Sequence, residues 1–367
     1  MATKMNQGYL FLADISGYTS FLAKTELDHA HEILTELLEV IVNSCGSILT
    51  LSKLEGDAVF SYVFSEKVER GETLLELVEA TYAAFQDRAI SMHRATTCTC
   101  AACRAIPNLD LKFIVHYGDF IIQNISNIRE LVGTDVNLAH RLMKNHVAEE
   151  QGWQAYALFT DRALECMGLQ LEDAFPHVES YEHLGDTQTY SLNLHDSYQR
   201  MTSKRQKKIS EKDAELAFAV DFPAAPPIVW EWLNDPAKKN AVQNHNVWTN
   251  GLRPGGRTRP GARNHCAHGA GETVEVIAAW QPFNFFTSEY PLGNSKTLIA
   301  TNTFELIEAG TRVTTTIKLQ IPHTPRFVRR QMVKQMVAGW DSDNIALAKS
   351  MQAHFSATSA ESEPGTA

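Results

Sequence analysis

Apolar positions along the first half of the chain change period several times, and the changes mark out elements. Residues 9–13 form a short apolar run suited to a central strand that delivers Asp14 at its end. From residue 27 to 45 the apolar residues Leu27, Ala30, Ile33, Leu34, Leu37, Leu38, Ile41 and Val42 recur at helical spacing, which predicts one helix with a single buried stripe. Gly46 stops it. The run at 48–51 then enters a hairpin whose turn holds Lys53 to Asp57, where a glycine lets the backbone approach closely. A second helix is expected at about 73–92, strands at 110–116 and 119–125, and a helix at about 135–145. Strands and helices in this order, with two hairpins, predict an α+β fold with helices packed on a mainly antiparallel sheet.

The pattern changes at residues 196–213, which contain Lys204-Arg-Gln-Lys-Lys208, several serines and no apolar period, so they read as a polar linker. Beyond it residues 215–220 alternate, placing Leu216, Phe218 and Val220 on one face, and Pro223-Ala-Ala-Pro-Pro-Ile-Val-Trp230 leads into a short helix. Strand-like runs recur at 272–279, 285–290, 297–306 and 311–320, and a long helical stretch at about 325–354 closes the region. The tail at 357–367 is small and polar, so disorder is expected there.

Length agrees with more than one domain, since 367 residues are enough for two or three cores. A net charge of -10 argues against a nucleic-acid partner, which needs a basic face. A triphosphate can still bind, because metal ions supply the local positive charge. No stretch of about 18 apolar residues occurs and the run at 9–13 is too short for a signal-peptide core, so a cytoplasmic protein with no membrane partner is expected. Six cysteines in that compartment read as free thiols or metal ligands rather than disulfides.

Three groups of residues carry candidate chemistry. Asp14 and Asp57, each at or just past an apolar run and with Lys53 nearby, can hold hard divalent cations that favour carboxylates together with substrate phosphates. Cys98, Cys100 and Cys103 form a C-x-C-x-x-C cluster that can bind structural Zn²⁺ if a fourth ligand exists, with His93 the nearest candidate and His116 another; three reduced loop cysteines are the alternative. His265, Cys266 and His268 also lie close together, but strand alternation separates His265 from the other two.

Taken in order, Asp14-Ile-Ser-Gly-Tyr-Thr19, Lys53-Leu-Glu-Gly56-Asp57 and Gly133-Thr-Asp-Val-Asn137-Leu-Ala-His-Arg141 resemble the motifs of the class III nucleotidyl cyclases, over roughly residues 8–195. The resemblance implies a ferredoxin-like core and a domain at 1–195 that closes a nucleoside triphosphate to a 3′,5′-cyclic nucleotide. It gives Asp14, Asp57 and the carbonyl of Ile15 to two Mg²⁺ or Mn²⁺ ions per site, Asn137 to the ribose, Arg141 to phosphate in the transition state and Lys53 to the base. Glu130 stands at the position that selects the base with Lys53, where the family uses aspartate or threonine. ATP is the expected substrate, with GTP or a pyrimidine triphosphate as alternatives, because glutamate accepts from an exocyclic amino group. Metal ligands and the asparagine-arginine pair meet across two cyclase domains in this family, and this chain has one, so a head-to-tail homodimer is expected.

Residues 214–356 resemble, less specifically, the START-like, polyketide-cyclase-like (SRPBCC) helix-grip folds, on their strand pattern and on Phe222-Pro-Ala-Ala-Pro-Pro-Ile-Val-Trp-Glu-Trp-Leu-Asn-Asp-Pro236. That resemblance implies an α+β domain that binds a hydrophobic small molecule, and coupling of that binding to the cyclase is expected. Trp230, Trp232, Trp280, Phe283, Phe285 and Phe286 either line its cavity or pack as ordinary core. The competing reading of the whole chain is a catalytically silent nucleotide-binding module coupled to that domain.

Overall fold

The apolar run at 9–13 is the middle of a longer strand, β1 (Met5–Ser16), buried without a break from Gly8 to Ala13 because a sheet strand runs along each of its edges. The computed structural model describes residues 5–361 apart from 97, 126–127, 204–206, 244–245, 269–270 and 294–295. The chain divides into two compact units, residues 1–200 and 201–367.

In the first unit β1 is followed by α1 (Tyr18–Lys24), α2 (Leu27–Cys45), β2 (Thr50–Glu55), β3 (Ala58–Phe64), α3 (Glu72–Ala95), α4 (Ala101–Ala105), β4 (Asp110–Ile125) and β5 (Ile128–Val132). Then come α5 (Thr134–Leu142), α6 (Val147–Gln151), β6 (Tyr156–Thr160), α7 (Asp161–Met167), β7 (Phe175–Tyr181), β8 (Gly185–Asn193) and α8 (Leu194–Ser203). The sheet runs β2-β3-β1-β4-β6-β8-β7 with β5 paired to β4, and β4 with β6 is its parallel pair. The helix expected at 27–45 is α2, which buries Ala30, Ile33, Leu34, Leu37 and Ile41 of the expected stripe while Leu27 is exposed. The two strands expected at 110–116 and 119–125 are one continuous strand, since Gly118 pairs with Gly8 of β1 without interrupting the ladder.

The segment read as a linker is helical as far as Ser203 in α8. Further on, the Ile209 amide donates to Thr301 Oγ1 (3.1 Å) and Thr316 Oγ1 donates to the Ile209 carbonyl (2.9 Å), so the backbone there is tied to the second unit's sheet. Lys204, Arg205 and Gln206 of the basic run lie outside the described residues.

The second unit contains β9 (Leu216–Phe222), α9 (Pro226–Asn234), α10 (Pro236–Val242), β10 (Asn246–Asn250), β11 (Arg263–His268), β12 (Gly271–Gln281), β13 (Phe285–Pro291), β14 (Thr297–Ile307), β15 (Gly310–Gln320), α11 (Arg326–Met336) and α12 (Trp340–Glu361). Its strands form one antiparallel sheet in the order β10-β11-β12-β13-β14-β15-β9. The single closing helix expected at 325–354 is two helices, separated just before Trp340 by Gly339, whose φ of 97° lies in the left-handed region. α12 continues to Glu361, into the stretch expected to be disordered, and 362–367 lie outside the described residues. Both units are mixed α+β. Among the described residues no helix is long and apolar enough to cross a membrane.

Candidate functional site

β1 brings Asp14 level with Ala58 of β3 on one side and with Lys112 of β4 on the other. The β2–β3 hairpin turns through Gly56, at φ 68°, and Asp57, whose carbonyl accepts from the Ile15 amide at 3.3 Å. These two anchors bring Asp14 and Asp57 to one cavity, close enough for the charge of Asp14 to act on Asp57. Partial burial, then the charge of Asp14, raise the Asp57 pKa to about 6, against the opposing pull of Lys112. The pair sits at a cavity of about 780 Å³ that is also lined by Ile15, Lys112, Asn108, Tyr156 and residues 16–20.

The lysine beside the carboxylates is Lys112, not Lys53 as the sequence reading had it. Lys112 Nζ lies 3.1 Å from Asp14 Oδ2 and donates to the Met143 carbonyl at 3.3 Å. No motif contains Lys112, and only the strand register shows its place. Lys53 follows a register shift in β2 between Leu51 and Lys53, and its Nζ reaches Glu55 (2.8 Å) and Glu130 of β5 (3.9 Å) instead. Lys53 and Glu130 are therefore neighbours, as the base-selecting pair was expected to be.

Asn137 and Arg141 stand four residues apart on α5, hence on one face of the helix, and both are exposed. Neither lines the cavity that holds Asp14 and Asp57. Glu55 Oε2 lies 3.3 Å from His140 Nδ1, which ties α5 to the strand that carries Lys53. Partial burial lowers the His140 pKa against the pull of Glu55. The base of α5 is fixed by Asp135, whose Oδ2 accepts from the Asp119 amide at 2.6 Å and whose Oδ1 lies 3.3 Å from His116 Nε2. Gly118 is required there, since a Cβ on it would lie 2.3 Å from Asp135 Cγ. His116, considered as a zinc ligand, is thus occupied by Asp135 and by Thr160 Oγ1 at 2.9 Å.

Cys98, Cys100 and Cys103 are gathered as the sequence pattern suggests, but the histidine among them is His29 of α2. His93 Nδ1 instead contacts the Cys103 carbonyl at 3.3 Å. Sixty-nine positions separate His29 from Cys98, and no spacing rule spans that gap.

In the second unit a cavity of about 210 Å³ is lined by Trp248, Phe286, Tyr290, Trp340, Lys239 and Glu275 among others. Most of the aromatics proposed as lining are core: Trp230 is fully buried with ring centroids of Trp280, Phe304 and Phe286 at 4.6, 5.1 and 5.4 Å. Trp230 and Phe286 sit in one cluster, and of the six named only Phe286 reaches the cavity. Glu275 is buried and accepts from Asn264 Nδ2 (2.8 Å), Ser288 Oγ (2.7 Å) and Tyr290 Oη (2.8 Å). Burial alone would raise its pKa, but the charge of Lys239 and these three donors outweigh burial and hold it below the usual value. Cys266 is buried and lines the cavity, whereas His265 is engaged with Glu272 on the surface, the opposite-face arrangement that alternation predicts; the side chain of His268 lies outside the described ones.

Residues 34–151 match a family model described as a protein of unknown function, DUF2652. An uncharacterized protein of Mycobacterium tuberculosis, Rv2561/Rv2562, is 29% identical over 165 residues, which are 44% of this chain and 73% of that protein. Among solved structures, the adenylyl cyclase CyaB from P. aeruginosa is 16% identical, covering 52% of this chain and 95% of that one at a TM-score of 0.40. The guanylyl cyclase Cya2 is 12% identical, covering 52% and 93% at 0.41. A bacterial light-regulated adenylyl cyclase is 15% identical with a TM-score of 0.40, and the match covers 53% of this chain but only 54% of that protein's length.

Proposed function

We propose that the first unit is a nucleotidyl cyclase that converts a nucleoside triphosphate, ATP before the others, to its 3′,5′-cyclic monophosphate and pyrophosphate, working as a head-to-tail homodimer. The observation that carries this reading is the Asp14–Asp57 pair at its cavity, where burial and the neighbouring charge of Asp14 raise the Asp57 pKa to about 6. Such a pair is short of positive charge, and a divalent cation supplies it.

The donor set suits Mg²⁺ or Mn²⁺: two carboxylates and the Ile15 carbonyl leave positions open for phosphate oxygens and water. Asp14, Asp57 and the Ile15 carbonyl would hold the two ions, whose chemistry would be to activate the ribose 3′-hydroxyl and to neutralise the pyrophosphate. Asp14 and Asp57 would hold them as carboxylates. Lys112, which lines the same cavity beside Asp14, is placed to take a triphosphate oxygen. Ring closure forms the bond from O3′ to the α-phosphorus and breaks the bond to the bridging oxygen of pyrophosphate. The hydroxyl proton passes to solvent and nothing is oxidised or reduced.

The remaining residues fit the other half of a shared site. Asn137 orients the ribose, and the planar fork of Arg141 binds phosphate oxygens in the transition state. Lys53 and Glu130 present a donor beside an acceptor, the pattern that adenine meets with a ring nitrogen and its amino group. That these four lie outside the carboxylate cavity supports completion of each site by a second copy of the chain. A small molecule in the cavity of the second unit would regulate turnover to the extent that it prefers one arrangement of the active dimer.

Incubating the full chain with each triphosphate and Mn²⁺, and weighing the products by mass spectrometry, tests the reading. A cyclic nucleotide and pyrophosphate are expected with ATP. Tight binding of a triphosphate without any cyclic product would replace this reading with that of a silent nucleotide-binding module.

A further inference from the structure

We propose that His29, Cys98, Cys100 and Cys103 bind one Zn²⁺ ion in a closed tetrahedral site, and that this ion holds the wall of the carboxylate cavity in place. Nδ1 of His29 lies 3.2 Å from Cys100 Sγ, 3.6 Å from Cys98 Sγ and 3.8 Å from Cys103 Sγ. All four donor atoms fall within 4.8 Å of one another. Zinc bonds of about 2.3 Å to sulfur and about 2.0 Å to nitrogen place tetrahedral ligands about 3.5 to 3.8 Å apart, so the four atoms already stand close to the required corners. Four protein donors close the coordination shell, which is the arrangement of a structural site rather than a catalytic one. Three thiolates and one imidazole favour zinc over the hard cations suited to Asp14 and Asp57.

The backbone around the thiols is arranged for the same purpose. The Cys100 amide points at Cys98 Sγ (3.5 Å) and the Cys103 amide at Cys100 Sγ (3.4 Å), contacts that orient and stabilise thiolates. Glu26, three residues before His29, accepts from the amides of Ala101 (3.3 Å) and Ala102 (3.2 Å), so the turn that carries the histidine and the segment that carries the cysteines are joined twice. Neither contact involves the metal, and together they present the ligands in advance.

The consequence for the cavity follows from what comes next in the chain. α4 begins at Ala101 and is followed by the 106–108 turn, whose Asn108 carbonyl packs on Gly17, where a Cβ would lie only 2.8 Å from the carbonyl oxygen. Gly17, at φ 88°, follows Ser16 at the end of the strand that carries Asp14. Ala105, Asn108, Phe21 and Thr25 all line the cavity. An ion bridging α2 to the cysteine segment therefore fixes two sides of that wall. This last step rests on the proposed cyclase activity; the zinc site does not.

Elemental analysis of the full chain, purified without metal-affinity resin or chelator, should return about one zinc per chain, and His29→Ala or Cys100→Ser should lower it below about one tenth. His93→Ala should keep its zinc. If a ligand variant fails to fold, the wild type still decides: Co²⁺ exchanged into it should give the visible bands of tetrahedral cobalt and a near-ultraviolet thiolate charge-transfer band. Wild-type protein without zinc, its cluster thiols reacting freely or joined as a disulfide, would overturn the site, as would full zinc retention by Cys100→Ser. Zinc present and Co²⁺ bands observed, but no cyclic nucleotide formed, would leave the site standing and remove only its link to catalysis.

Discussion

Asp57 in the first unit and Glu275 in the second both sit at a cavity and both are withdrawn from water, yet their surroundings push them in opposite directions. Asp57 faces another carboxyl and rises to about 6. Glu275 is the more deeply buried, but it takes three hydrogen bonds and the field of Lys239, and is held below its ordinary value. The second carboxylate is complete and needs nothing further. The first is short of positive charge, the deficit that the proposed cation would fill. Depth of burial alone would have ranked the two the other way round.

The largest effect that tests this contrast is on turnover. Asp57→Ala should abolish metal-dependent cyclisation, whereas Glu275→Gln, which keeps the shape and one acceptor oxygen, should leave the basal rate of the first unit within a few-fold. Mixing Asp14→Ala with Arg141→Ala, each inactive alone, should recover activity, because a mixed dimer contains one site with both halves intact. Full activity in Asp57→Ala, or none in the mixture despite confirmed subunit exchange, would break the reading of the first cavity.

A smaller effect is on stability. Glu275→Ala strips the acceptor from Asn264, Ser288 and Tyr290, three groups at a buried position, and should cost about 3 kcal/mol in denaturant unfolding. Asp57→Asn removes one of two repelling carboxylates and should leave the metal-free protein as stable as the parent, or more so. Equal losses in both variants would show that both carboxylates are structural.

Local pattern carried the elements far better than it carried the neighbours. The apolar stripe from Ala30 to Ile41 predicts α2 because a single helix face is a property of adjacent residues. The C-x-C-x-x-C spacing likewise marks Cys98, Cys100 and Cys103, but the sequence pointed to His93 and His116 when the structure brings His29. Lys112 was missed for the same reason: its position beside Asp14 follows from the pairing of β1 with β4, almost a hundred residues apart in the chain. The division of α11 from α12 at Gly339 was legible in principle, since glycine is the residue that tolerates φ 97°, but an isolated glycine inside a helical stretch does not by itself end it. Glu275 gave no signal at all, because its donors come from β11 and β13.

The most delicate test uses pH. A carboxyl whose folded pKa lies above its unfolded value of 3.8 favours the folded state while it is protonated, so the Asp57 contribution is present at low pH and lost as pH rises through about 6. Glu275 has the opposite sign: held below 4.5, it favours the folded state above that value and its contribution is lost as pH falls through its lower folded value. A divalent cation competes with the proton that Asp57 carries below about pH 6. Millimolar Mg²⁺ or Mn²⁺ should therefore raise the melting temperature by a few degrees at about pH 7.5 and hardly at all at about pH 5, following the titration of the pair. Asp57→Asn should flatten the difference, and Glu275→Gln should leave it intact. A metal-induced shift of the same size at both pH values would place the cation elsewhere and remove the contrast between the two cavities.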